Sequence, residues 1–369
     1  MITRRAFLKI TMLTPFIFKG APERLYAKTE PPLKEASYYH RIDEKKMIVA
    51  CQLCPRECVI AEGETGFCRA RKNIKGTLYA LGYAQPCAIH VDPIEKKPFY
   101  NYHPKSLSFS IASAGCNLRC KFCQNWQISQ ISPLESINQY ATPDKIVSAA
   151  KLSGCKSIAY TYTEPTNFYE YMIDTAKIAK SKGILNVNHT NGYINQEPLN
   201  ELCKYLDAAN IDLKGFNNSF YNKICEANLS PVLETIKTLK KSGVWVEITN
   251  LIIPGYNDDI ATITNMCEWI RHNVGIDTPV HFSRFYPTYK MTGVPPTPVG
   301  TLEKAREIAI KAGLHYPYIG NVPGHPGDNT YCPNCKKMLV KRSGYNILEN
   351  AIKNGRCKYC GTKIGGVWI

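Results

Sequence analysis

The chain has 369 residues, 44% of them hydrophobic and 21% charged, with a formal net charge of +16. This balance excludes a disordered chain and a disulfide-stapled miniature, and it allows one large domain with small additions. The Lys and Arg residues are spread thinly with no long run, so the basic excess reads as a solvated surface and not as a nucleic-acid footprint.

In chain order, residues 1–27 come first as a leader. Arg4-Arg5-Ala6-Phe7-Leu8-Lys9 and the apolar stretch Ile10 to Phe18 resemble a twin-arginine export signal, with Leu25-Tyr26-Ala27 as a poor cleavage site. That stretch is too short to span a membrane, and no later segment is apolar for long enough. A polar linker over 28–46 leads to a cysteine-rich module over 47–102. There Cys51-x2-Cys54-x3-Cys58, followed by Cys68, supplies four ligands. Such a set suits zinc or a second iron–sulfur cluster.

Residues 103–320 alternate short β-rich runs with amphipathic stretches. The runs are 107–114, 157–163, 185–190, 209–213, 244–252 and 280–285. Pro143, Pro198 and Pro231 mark helix starts, and Gly154, Gly183 and Gly243 mark helix ends. Val232, Leu233, Ile236 and Leu239 make one apolar helical stripe. Six β/α units in series imply an α/β fold with a parallel sheet and right-handed crossovers, a partial (β/α)6 TIM-type barrel. Chemistry in such barrels sits at the C-terminal ends of the strands. Over 321–369, Cys332-x2-Cys335 and Cys357-x2-Cys360 form a zinc-ribbon-like module. Four thiolates at that spacing favour structural zinc, with rubredoxin-like iron as the alternative.

The sixteen cysteines divide by spacing. Cys87, Cys155, Cys203, Cys225 and Cys267 lie singly and read as small buried thiols. Cys116, Cys120 and Cys123 follow the first barrel strand as Cys-x3-Cys-x2-Cys. Three thiolates bind three irons of a cubane, and no fourth cysteine lies nearby, so one iron is left open for chemistry. The competing reading is an incomplete zinc loop or an electron-transfer cluster.

Gly115-Cys116-Asn117-Leu118-Arg119-Cys120-Lys121-Phe122-Cys123-Gln124-Asn125-Trp126 resembles the radical S-adenosylmethionine (SAM) superfamily, close to the pyruvate formate-lyase activating enzyme branch. Asp92-Pro93-Ile94-Glu95-Lys96-Lys97-Pro98, Tyr162-Thr163-Glu164-Pro165, Asn191-Gly192-Tyr193, Asp212-Leu213-Lys214-Gly215, Ile253-Pro254-Gly255-Tyr256-Asn257-Asp258 and Phe285-Tyr286-Pro287 resemble the radical SAM member of the AmmeMemoRadiSam system. The resemblance implies a [4Fe–4S] cluster on Cys116, Cys120 and Cys123, with SAM on the open iron. It also implies reductive cleavage to a 5′-deoxyadenosyl radical that abstracts hydrogen from an unidentified substrate, a protein or peptide if the activase likeness holds. Thr163 and Glu164 stand where the family's Gly-Gly-Glu element binds the methionine amino group, although its glycines are absent. Asn188, Asn191, Asp212 and Lys214 stand at strand ends expected to face SAM.

His189, His281, Arg284 and Tyr286 are substrate-side candidates, with Glu247 and Asn250 as weaker ones. The bland alternatives are a structural Asp212–Lys214 ion pair and hydrogen-bonded core histidines. The implied partners are an electron donor such as flavodoxin or ferredoxin, and Memo-like and AMMECR-like proteins. SAM is made in the cytoplasm, so the chemistry places the protein there; the leader, if used, would export it. The rival class is a metal-stapled nucleic-acid binder or electron-transfer protein, which leaves Cys116, Cys120, Cys123 and Glu164 without a task.

Overall fold

The barrel runs pair in chain order. The computed structural model describes residues 33–368, so the leader over 1–27 and the first residues of the 28–46 linker lie outside the described residues. The parallel strands are β2 (Leu107–Ala112), β3 (Ser157–Tyr160), β4 (Leu185–Thr190), β5 (Ala208–Asp212), β6 (Trp245–Ile252) and β7 (Val280–Arg284), preceded by β1 (Ala88–Pro93) and followed by β8 (Pro317–Gly320). Neighbours in this eight-stranded sheet follow the order of the chain. β1 pairs antiparallel with β2, and every later pair is parallel.

Six helices make the crossovers: α1 (Pro143–Leu152), α2 (Tyr169–Ser181), α3 (Gln196–Cys203), α4 (Leu229–Lys241), α5 (Ile260–Asn273) and α6 (Val299–Lys311). The six β/α units stand as expected, and the sheet is wider by β1 and β8. The expected segment boundary at residue 102 also differs, because β1 lies before it yet belongs to the barrel sheet. Part of the linker is structured too. Lys34–Glu35 and Tyr39–Asp43 are strands paired with Thr77–Ala80 and Ile48–Cys51.

Helix boundaries follow from local chemistry. Pro143 opens α1, whereas Pro198 and Pro231 fall at the third position of α3 and α4. A first-turn N–H has no partner within the helix, so proline costs little at either place. On α4, Val232, Ile236 and Leu239 are buried; each such side chain contributes about 1.5–3 kcal/mol by leaving water. Leu233 is only partly buried and packs at the edge of the same core.

The mouth of the barrel at the N-terminal ends of the strands is plugged by residues 94–102. Ile94, Phe99 and Tyr102 pack on Ala159, Val187 and Ala208. Glu247, fully buried, accepts from the N–H groups of Tyr100 (3.0 Å) and Asn101 (2.9 Å), from Trp245 Nε1 (3.1 Å), and pairs with His281 Nε2 (2.7 Å). Glu247→Gln puts an amide NH2 in front of donors. The expected loss is about 2 kcal/mol of stability, read as a lower urea midpoint with an unchanged slope.

The C-terminal module docks on the same end of the sheet. Its core joins Leu339, Val340, Ile352 and Ile364 to Tyr100, Tyr316 and Tyr318. Arg342, 5% exposed, donates to Tyr100 O and Asp328 O. Among the described residues, no helix is long and apolar enough to cross a membrane.

Candidate active site

One cavity of about 510 Å³ opens at the C-terminal strand ends, within the range of small-molecule sites. Its wall includes Cys116, Cys120, Cys123, Thr163, Glu164, His189, Asn191, Asp212, Lys214 and His281. All three cysteines are free thiols. They sit on the loop after β2, which Asn117 holds by donating to Tyr193 O at 2.7 Å. Ser129 Oγ lies 3.2 Å from Cys123 Sγ. Cys225, single in the sequence, is buried against the Cys120 thiol. Cys225 does not line the cavity, so three thiols face it together with a carboxylate and an ion pair, a set that fits a cluster with one open iron and a zwitterionic ligand.

Glu164 is held from four directions. Its Oε1 accepts from Thr166 N (3.1 Å), Thr166 Oγ1 (2.8 Å) and Thr190 Oγ1 (2.7 Å). Its Oε2 accepts only from Asn191 N (2.8 Å), which leaves that oxygen an unused lone pair. Burial nevertheless pushes the carboxyl above its ordinary value.

The Gly-Gly of the family pattern is replaced here by Tyr162-Thr163, and Tyr162 takes the left-handed φ of +64° that glycine adopts freely. Contacts hold it there. Its hydroxyl donates to Asp92, Lys97 Nζ lies 4.2 Å over its ring, and its carbonyl accepts from Asn125 Nδ2 at 2.7 Å. Lys96, Lys97 and Tyr162 line the cavity and share Asp92. Burial pushes the Asp92 carboxyl up, but these donors outweigh it and hold it well below the ordinary range.

Asp212 and Lys214 also line the cavity and reach the same side of the chain as alternation requires. Lys214 Nζ donates to Asp212 Oδ2 at 2.8 Å, and His189 Nε2 lies 2.8 Å from Asp212 Oδ1. Burial raises the Asp212 carboxyl, yet Lys214 and His189 outweigh it and hold it far below its usual value.

Five sequence candidates stand off the cavity: Glu247 holds the 94–102 plug, Asn250 donates to Leu213 O at 2.7 Å, and Asn188, Arg284 and Tyr286 lie outside its lining. Asn188 shares a strand face with Asn186, whose amide bonds Ala176 O on α2, so it faces the helices, while His189 faces the interior. Arg284 donates to Thr297 O (2.8 Å) and to Tyr286 Oη (3.2 Å), and Tyr286 is exposed on the rim. The sequence reading missed Lys96, Lys97 and Tyr162 as wall residues and Asp92 as the carboxylate they share. Their motif carried a resemblance, but nothing in it shows that Asp92 meets Tyr162 across the sheet.

Residues 110–269 match the model of the Radical SAM superfamily. The chain is 52% identical to the uncharacterized protein MJ0808 of Methanocaldococcus jannaschii over 334 residues, covering 90% of this chain and 99% of that one. The chain belongs to the radical SAM superfamily. Membership of this superfamily implies a [4Fe–4S] cluster, SAM and a supply of electrons. This radical SAM chain is also 24% identical to the pyruvate formate-lyase 1-activating enzyme of Escherichia coli K12, over 54% of its own length and 87% of the relative's. A radical SAM methyltransferase from Sphaerobacter thermophilus aligns with it at a TM-score of 0.49 and 14% identity, over 78% of this chain and 76% of that one.

The C-terminal cysteines can hold a metal. The ligand atoms of Cys332, Cys335, Cys357 and Cys360 all lie within 4.8 Å of one another.

Proposed function

We propose that the cavity binds a [4Fe–4S] cluster through Cys116, Cys120 and Cys123 and binds SAM through Thr163, Glu164, Asn191, Asp212 and Lys214. The observation that carries this reading is that three free thiols and a buried carboxylate with an unused lone pair line one cavity. When bound, the cluster and SAM supply reductive cleavage of the sulfonium and a 5′-deoxyadenosyl radical for hydrogen abstraction. Glu164 accepts the methionine ammonium at Oε2. Lys214, fixed by Asp212, meets a carboxylate, and Asn191 orders Glu164 through its backbone N–H. His189 and His281, with Asp212 and Glu247 as their orienting carboxylates, line the substrate side. Asn188, Arg284 and Tyr286 act at most through the residues that face the cavity.

The substrate is unidentified. The likeness to activating enzymes supports a protein or peptide. The motifs around Asp92, Tyr162 and Asp212 support the AmmeMemoRadiSam assignment, with Memo-like and AMMECR-like partners. An electron carrier such as flavodoxin or ferredoxin supplies reducing equivalents, and the need for SAM favours the cytoplasm.

Reduced protein given SAM should release 5′-deoxyadenosine and methionine, and the Cys116→Ala/Cys120→Ala/Cys123→Ala variant should release neither. Equal release from both proteins would remove the assignment. Zinc is the metal proposed for Cys332, Cys335, Cys357 and Cys360. Cys335→Ser should lose about one zinc per chain and melt several degrees lower in calorimetry, because the tail has little core of its own.

A further inference from the structure

The first cysteine group has no part in the reading above. We propose that Cys51, Cys54, Cys58 and Cys68 hold a redox-active [4Fe–4S] cluster, not zinc, which passes single electrons to the cluster site on Cys116, Cys120 and Cys123 across the contact between Cys68 and Gly115. The acceptor rests on the proposed function; the identity of the donor site does not.

The molecule contains its own comparison. Four thiolates on one zinc, with Zn–S near 2.3 Å, stand about 3.8 Å apart. The C-terminal thiols do so already, at 3.6 Å for Cys332–Cys360 and 3.8 Å for Cys335–Cys357. Among the described residues, only that group closes to within 4.8 Å; neither Cys51, Cys54, Cys58 and Cys68 nor Cys116, Cys120 and Cys123 does. Yet Cys51, Cys54, Cys58 and Cys68 line one pocket with Arg71 and Asn117. Sulfurs that share a pocket without converging on one ion suit a cubane, where each thiolate takes a different iron.

The surroundings of the pocket suit a centre that gains an electron. Arg71 is 1% exposed and ion-paired with Glu170, and its Nη1 lies 3.6 Å from Cys51 Sγ. Its Nε is buried without a partner. The N–H of Phe67 points to Cys58 Sγ at 3.5 Å. N–H donors at the sulfurs are among the groups that set a cluster's reduction potential.

The two ligand loops also pack as one unit. Gly115 has φ +104°, and a Cβ there would come within 2.6 Å of Cys68 O. Arg119 donates from Nη1 to Cys116 O (2.8 Å) and from Nη2 to Phe67 O, tying together the peptides beside a ligand of each group. Arg56 donates to Asn117 O (2.7 Å) and lies 3.5 Å over the Phe67 ring. Electron tunnelling favours such a closely packed path. A flavodoxin- or ferredoxin-class carrier gives one electron to the first cluster. That cluster returns from the 1+ to the 2+ state as its neighbour goes from 2+ to 1+, with no bond or proton moved.

The test is iron and zinc counting with Mössbauer and EPR spectroscopy on the anaerobically reconstituted full chain. Wild type should hold about eight irons and about one zinc. Cys54→Ser/Cys58→Ser should keep about four irons and a signal that SAM shifts. The Cys116→Ala/Cys120→Ala/Cys123→Ala variant should keep about four irons and a signal that SAM leaves unmoved. In reduced wild type the two spins should relax faster than either alone. About four irons and two zincs in wild type would overturn the cluster and leave the proposed function standing. Two clusters with no signal shifted by SAM would sink the proposed function and the relay's acceptor with it. Two clusters without magnetic interaction would overturn the relay. Mössbauer counting on wild type needs no variant to fold.

Discussion

Glu164→Gln should weaken SAM binding by about 1.5–3 kcal/mol, about ten- to 150-fold in Kd. The amide oxygen can replace Oε1 and satisfy Thr166 and Thr190. The NH2 must then replace Oε2, where it faces the Asn191 N–H and the cavity. A ligand ammonium placed there meets a donor in place of an acceptor. The same mismatch should cost the protein itself about 1–3 kcal/mol. Isothermal titration of reconstituted protein with SAM reads the first effect, and urea unfolding of the unligated chain reads the second. Unchanged SAM affinity with lowered stability would make Glu164 purely structural, a brace between the ends of β3 and β4.

Asp212→Ala should cost about 3 kcal/mol of stability. That is the low end for breaking a buried pair, because the cavity admits water. Lys214, with a side chain 12% exposed, is left without its carboxylate, and His189 loses its partner. Removing both charges in Asp212→Ala/Lys214→Met should restore much of the loss.

The pH dependence has a definite sign. The folded carboxyl of Asp212 is held below its unfolded value. Its contribution is therefore present above the ordinary carboxylate pKa and is lost as pH falls from there toward the folded value. Wild type should lose more stability than the double variant between about pH 5 and pH 3. Parallel curves would show that Asp212 is not held charged by Lys214. Neither variant should bind SAM as wild type does if Lys214 meets the ligand carboxylate.

Much of this was readable from residue order, and the exceptions have physical causes. The six β/α units announce themselves through β-rich runs separated by apolar helical stripes. β8 does not, because its four residues begin with Pro317 and lie in a glycine- and proline-rich stretch. β1 carries His90 and Asp92 and lies inside the stretch read as the cysteine-rich module. The Cys116–Cys123 loop was legible because its ligands are neighbours in sequence. The Asp92–Tyr162 contact and the Cys120–Cys225 contact are not local, and no short-range pattern encodes them. Asn188 and His189 are adjacent on β4, and which of them faces the cavity depends on which side of the sheet the helices cover. The chain order of strands fixes the sheet; the pleat then decides each side chain.

The most direct test of the central claim is the EPR spectrum of dithionite-reduced Cys54→Ser/Cys58→Ser protein with and without SAM. The expected spectrum is a [4Fe–4S]⁺ signal that shifts when SAM is added and disappears when Cys116, Cys120 and Cys123 are also replaced by Ala. A signal that SAM leaves unmoved, or one that survives those replacements, would contradict it.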